Sequence, residues 1–153
     1  MDTCSRKQLI ATCSSDKTVN IWNYKDFKLE LTQTYPEECL TVAFHPSGLH
    51  LVIALQDKVL MTNITSKGLN QIKSLSIKSC TEVKFSHGGH LFACVAKTNE
   101  IHVYNFYTAD CPVSQQYPGH QGTVKCIEWF ENDMGLSSCG LDGAIYFYDL
   151  FIH

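Results

Sequence analysis

No apolar run in this chain approaches the roughly 20 residues that a membrane-spanning helix requires. It has no basic excess: 12 Lys and Arg stand against 15 Asp and Glu, a formal net charge of -3. The electrostatic footprint of a nucleic-acid binder is therefore missing. The opening residues MDTCSRKQ hold no apolar h-region, so no secretory signal is visible. No segment sustains a 3.6-residue apolar period over three turns, which argues against amphipathic helices. Charged residues make up only 18% and hydrophobic ones 44%, a globular balance that excludes disorder as the default. With 153 residues the chain can bury a real core.

Zinc-type cysteine spacing is also missing. Cys4, Cys13, Cys39, Cys80, Cys94, Cys111, Cys126 and Cys139 include no pair separated by two residues. Most sit in apolar stretches such as FACVA and VKCIEW, where free cysteine packs as a small apolar residue. Reduced thiols and a cytoplasmic setting are the expectation.

What the chain does contain is a repeat. Aligned on Asp16, the stretch SSDKTVNIWN is followed by LQDKVLMTN, KTNEIHVYN and GLDGAIYFYD. The equivalent turn residues Asp16, Asp57, Asn99 and Asp142 are separated by 41, 42 and 43 residues. A second motif keeps the same beat, with Phe44, Phe85 and Trp129 in one position, each followed by a polar turn: HPSG, SHGG and ENDMG. Between turns the elements alternate with period two: Val42 and Phe44 share a face, as do Val83 and Phe85, and Ile145 and Phe147 oppose Tyr146 and Tyr148. Such alternation predicts strands, and a 42-residue period predicts about four per repeat. The fourth, polar type (KLELTQTY, PVSQQY) suits an outer sheet edge. The fold class expected is all-β.

These residues resemble the WD40 β-propellers. The signature dipeptide stands in weakened form at Trp22-Asn23, Thr62-Asn63, Tyr104-Asn105 and Tyr148-Asp149, and Gly119-His120 precedes the first strand of the last repeat. The resemblance covers residues 9–150, in repeats at about 9–35, 39–77, 80–117 and 119–150. Residues 1–8 are read as a lead and 151–153 as a tail. HPSGLHLVIALQDKVLMTNI and FSHGGHLFACV look most like the propellers of cilia- and flagella-associated WD-repeat proteins. That likeness implies a non-enzymatic scaffold with protein partners, axonemal or dynein-associated, in a cilium or flagellum, helping to place dynein arms. No cofactor, membrane or nucleic acid is implied. A general WD-repeat adaptor, such as a ubiquitin-ligase substrate receptor, is the alternative.

The resemblance also implies a buried network that ties a blade together. His120, Ser138 and Asp142 match it in the last repeat, with Tyr148 in the Trp position. Thr12, Asp16 and Trp22 match in the first, without a His. In the middle repeats Ile53 and Val95 replace Ser or Thr, and Tyr35 and Ser76 replace His, so apolar packing alone is expected there.

Ser138, His120 and Asp142 also have the residue types of a hydrolase triad, but no nucleophile elbow accompanies them. His87 and His90 in SHGGH could ligate a metal, yet no nearby Cys or carboxylate completes a set, and solvated turn histidines are favoured. Gly88-Gly89 lack the Lys and Ser/Thr of a phosphate loop. Asn63 heads a formal glycosylation sequon at a strand end, where no glycan is expected. Trp22, Phe44, Phe85, Tyr104, Trp129 and Tyr148 could form a base-stacking platform, but their fixed place in each repeat favours core packing. Glu37 and Glu38 belong to an inter-blade loop.

The first repeat reads as strands two to four and the last as strands one to three, fourteen strands from three and a half to four blades. A propeller blade depends on its neighbours. The reading preferred is therefore a segment of a larger ring, completed by the rest of a propeller or by a second chain. The alternative is a self-contained four-bladed ring with one composite blade.

Overall fold

A computed structural model of the chain describes residues 1–108, 113–117 and 119–150. Among these, fifteen strands and no helix are present, so no helix is long and apolar enough to cross a membrane. The chain divides into two compact units, Met1–Cys80 and Thr81–His153.

The first unit holds two sheets. Sheet 1 runs β1 (Asp2–Cys4), β2 (Leu9–Cys13), β3 (Thr18–Asn23) and β4 (Lys28–Thr34); sheet 2 runs β5 (Cys39–Phe44), β6 (His50–Leu55), β7 (Val59–Thr65) and β8 (Gly68–Leu75). The second unit has sheet 3, from β9 (Glu82–Phe85), β10 (Leu91–Val95), β11 (Ile101–Asn105) and β12 (Val113–Tyr117), and sheet 4, from β13 (Val124–Trp129), β14 (Gly135–Gly140) and β15 (Ile145–Asp149). Every pairing is antiparallel between sequence neighbours, because short polar turns allow only hairpin connections.

The first repeat differs from expectation. It has a first strand: β1 lies within residues 1–8 and pairs with β2 through Asp2↔Ala11, Thr3↔Ile10 and Cys4↔Leu9. Three residues are too few for a period-two pattern to register, which is why DTC did not read as a strand. Among the described residues the count is therefore fifteen strands rather than fourteen. Sheet 4 has three strands among the described residues. Cys111, Pro112 and the tail 151–153 lie outside them.

Each unit has its own core. In the first, Leu9, Ala11, Val19 and Ile21 of sheet 1 meet Val42, Phe44, Leu51, Ile53 and Leu55 of sheet 2. In the second, Leu91, Ala93, Val95, Ile101 and Val103 of sheet 3 meet Val124, Ile127, Trp129, Leu136 and Tyr148 of sheet 4. Full burial of each large side chain contributes about 1.5–3 kcal/mol relative to exposure. Every residue of LVIAL and LFACV is buried, the continuous apolar run of a strand covered on both faces. The outer strand β4 is mostly exposed.

Cys4, Cys13, Cys39, Cys80, Cys94, Cys126 and Cys139 carry free thiols. Burial, reinforced by Cys13, Asp16 and Glu37 nearby, pushes the Cys39 thiol up to about 11.

Candidate functional site

The four turn residues all lie in hairpins joining the second and third strands of their sheets: Asp16 between β2 and β3, Asp57 between β6 and β7, Asn99 between β10 and β11, Asp142 between β14 and β15. Around Asp142 a polar set closes. The His120 Nδ1–H donates to both carboxylate oxygens of Asp142, at 3.0 Å each, and Nε2 accepts from the Ser138 hydroxyl at 2.7 Å. A carboxylate can only accept, so its contact assigns the proton to Nδ1 and leaves Nε2 to receive the serine proton. Asp142 also takes the backbone N–H groups of Gln121 at 3.0 Å and Ala144 at 3.2 Å. One carboxylate thereby ties the approach to β13 to the hairpin between β14 and β15.

Burial pushes the Asp142 carboxyl up. The hydrogen bonds from His120, Ala144 and Gln121 outweigh it and hold the group below its ordinary value. Gly140 admits the ring and the carboxylate, and Gly122 the backbone at Asp142. A Cβ on Gly140 would come 2.7 Å from His120 Nδ1, and one on Gly122 would come 2.9 Å from Asp142 N. Neither glycine was singled out in the sequence, because close approach between strands leaves no local pattern. Tyr148 is buried, its ring stacked 6.2 Å from that of Tyr146, which in turn meets His120 edge-on at 4.6 Å.

The distances between Ser138, His120 and Asp142 suit proton transfer from serine to imidazole. Access does not suit it: Ser138 is 2% exposed and the His120 side chain 0%. A nucleophile must meet its substrate at the attacking oxygen.

In sheet 1 the matching residues fall into two separate local sets. Trp22 Nε1 donates to Thr12 Oγ1 at 3.2 Å. Asp16 accepts from the Thr18 hydroxyl at 2.6 Å and the Thr18 N–H at 2.9 Å, bonds that lower its pKa. Trp22 is 38% exposed, so this pair faces solvent, unlike the buried set of sheet 4.

Sheet 2 departs from packing by apolar groups alone. Ile53 is fully buried as the pattern implied, but the Thr62 hydroxyl donates to the Leu51 carbonyl at 2.8 Å, and His50 bonds Asn63, the sequon asparagine. Tyr35, at the His position, buries a hydroxyl with no partner among the described residues. Burial and the neighbouring Cys39 push its pKa up to about 12. Glu37 accepts from the Asp57 N–H and pairs with Lys58 at 3.8 Å.

The turn histidines meet a carboxylate after all. Asp133, distant in sequence, accepts the backbone N–H groups of His87 at 2.8 Å and Gly88 at 2.6 Å, and lies 3.3 Å from His87 Nδ1 and 3.9 Å from His90 Nδ1. Gly88 is needed for this approach, since its Cβ would stand 2.9 Å from Asp133 Oδ2. Among the described residues, no group of three His, Cys, Asp or Glu side chains is placed to hold a metal ion. Of the repeated aromatics, Phe44, Phe85, Trp129 and Tyr148 are buried. Trp129 Nε1 donates to the Lys84 carbonyl of the adjacent sheet at 3.0 Å.

The family model described as WD domain, G-beta repeat matches residues 1–23 and 111–149, the first and last repeats. At those residues the chain carries the sequence pattern of that family. The middle WD repeats, where Ile53 and Val95 replace the polar residue, lie outside those matches. The chain is 43% identical over 148 residues to cilia- and flagella-associated protein 57 A of Tetrahymena thermophila, covering 97% of this chain and 11% of that protein. It is 43% identical over 150 residues to cilia- and flagella-associated protein 57 of Mus musculus, covering 98% of this chain and 12% of that protein. Echinoderm microtubule-associated protein-like 4 of Xenopus laevis is 25% identical over 147 residues, 94% of this chain and 16% of that protein. The WD-repeat chain thus spans little more than a tenth of the length of its more similar curated relatives.

Proposed function

We propose that this chain is a non-enzymatic WD-repeat scaffold that binds protein partners in the ciliary or flagellar axoneme and takes part in placing dynein arms. The observation that carries the reading is the 43% identity, across nearly the whole chain, to cilia- and flagella-associated proteins of two distant organisms. The more distant relatives are microtubule-associated by name, which favours a cytoskeletal setting over a general adaptor. The burial of Ser138 and His120 supports a structural rather than a catalytic role for the polar set of sheet 4. A buried, fully paired network rigidifies a blade, and a rigid blade presents its turns in fixed positions for recognition.

Proximity labelling with the tagged chain in ciliated cells tests this. Axonemal neighbours, dynein-arm components among them, are the expected result; a neighbourhood made only of non-ciliary proteins would overturn the reading.

A further inference from the structure

The strand-connecting turns at one end of Met1–Cys80 concentrate positive charge. The β1–β2 turn carries Arg6 and Lys7, the β3–β4 turn Lys25, and the β7–β8 turn Lys67. The Tyr24 N–H donates to the Gln8 carbonyl at 3.0 Å, joining the β1–β2 and β3–β4 turns of sheet 1, and Lys7 shares a cleft with Ile64, Thr65 and Ser66 at the β7–β8 turn of sheet 2. Against the four cations these turns hold a single carboxylate, Asp26. None of the four forms an ion pair with any described residue. The corresponding turns of the second unit, after β9, β11 and β13, contain no Lys or Arg in their sequences. In a chain of net charge -3 this cluster is a local excess of positive charge.

Beside it lies a cleft of about 370 Å³ between the two sheets, lined by Lys7, Leu9, Gly48, Ile64 and Ser66, with Glu30 on its wall. Lys7 is placed there by packing. A Cβ on Gly48 would stand 2.8 Å from Cys4 Sγ and 3.0 and 3.1 Å from Lys7 Cγ and Cδ, so the lysine stem lies close against the bare backbone of the β5–β6 turn. At the same end Phe27 is 89% exposed and Leu49 47% exposed, apolar groups adjoining the cations. Arg and aromatic residues together are the chemistry of protein-binding hot spots.

We propose that this end of Met1–Cys80 docks an acidic peptide segment of a protein partner. Its carboxylates meet Arg6, Lys7, Lys25 and Lys67, and an apolar side chain seats at the cleft. Asp26 and Glu30 stand among the cations, which suits a short peptide that can space its acids around them and opposes a uniformly charged polyphosphate. The proposal rests on the scaffold reading and adds to it a face and a partner chemistry.

The test is fluorescence anisotropy of a fluorescein-labelled acidic peptide of repeated Glu-Glu-Leu, titrated with the whole chain at low and at physiological salt. Binding that weakens with salt is expected. The Arg6→Glu/Lys7→Glu variant is expected to bind about tenfold or more weakly. Lys78→Glu, in the loop at the other end of the strands, should bind as the parent does. If circular dichroism shows the double variant misfolded, Lys67→Glu alone should weaken binding by about threefold. No measurable binding by the parent, a charge-reversed variant that folds and binds as the parent does, or tighter binding to an oligothymidylate of equal charge would each overturn the proposal. Failure here is distinguishable from failure of the scaffold reading. Axonemal proximity labelling that survives in Arg6→Glu/Lys7→Glu cells removes this surface and leaves the scaffold in place.

Discussion

The carboxylate of Asp133 accepts the backbone N–H of His87 at 2.8 Å, across 46 residues of sequence. With the bond from Gly88, it joins the β13–β14 turn of one sheet to the β9–β10 turn of the next. A hydrogen-bonded turn on one blade thus supplies the acceptor that the neighbouring blade's turn requires. Replacing Asp133 with Ala leaves two N–H groups without this acceptor and should cost about 1–3 kcal/mol. Hydrogen exchange offers the local readout: the amides of His87 and Gly88 should exchange faster in Asp133→Ala, while those of β2 and β6 should not change.

Acid should loosen the same unit. Burial raises the Asp133 pKa, but the bonds from Gly88 and His87 outweigh it, so the carboxyl sits below its ordinary 3.8; Asp142 is likewise lowered. A carboxyl whose folded pKa is depressed stabilises the fold above its unfolded pKa and loses that contribution as pH falls through the folded value. The stability that these two carboxylates supply should therefore be constant above the ordinary aspartate range and be lost below it, read as the difference between parent and variant thermal melts. Asp133→Asn and Asp142→Asn should start less stable and lose less on acidification. Equal pH slopes in parent and variants would contradict the assignment.

Ser138→Ala removes the hydroxyl that His120 Nε2 accepts from, in a fully buried setting. A loss of about 1–3 kcal/mol in urea unfolding is expected. The exposed counterpart should cost less: Trp22→Phe keeps an aromatic side chain, loses the indole N–H bond to Thr12, worth about 0.5–1.5 kcal/mol, and gives up ring surface that is already 38% exposed. A stable Ser138→Ala protein that had lost a hydrolytic activity would sink the structural reading.

Gly140 and Gly143 border the same turn but should respond differently. A Cβ on Gly140 meets His120 Nδ1 at 2.7 Å and Asp142 Oδ1 at 3.0 Å, so Gly140→Ala must displace the network. Its cost should be about 1–3 kcal/mol. Gly143 has open space around it and φ of +75°, so Gly143→Ala carries only backbone strain, about 1 kcal/mol. Crystal structures or His120 ring NMR shifts would separate the two, since only Gly140→Ala should move the imidazole.

Much of the fold could be read from spacing. Hairpins are local: Asp16, Asp57, Asn99 and Asp142 each close a turn between residues a few positions apart, so turn chemistry and period-two alternation suffice to place them. His120, Ser138 and Asp142 were named together on the strength of the family resemblance, and the structure brings all three within hydrogen-bond distance. The strand β1 escaped because three residues carry no period. The carboxylate facing His87 and His90 escaped because Asp133 follows them by 46 and 43 residues, and sequence proximity is no guide to contacts between sheets.

The sequence by itself determined the strand type of every element but β1 and the spacing of the repeats, since alternation and turn residues act over a few bonds. Only the tertiary structure decided which polar groups share a carboxylate, which glycines are compulsory, and that Arg6, Lys7, Lys25 and Lys67 gather at one end of one unit. Those outcomes depend on how one sheet stacks against the next, and stacking is set by the fit of whole buried faces rather than by any residue's neighbours along the chain.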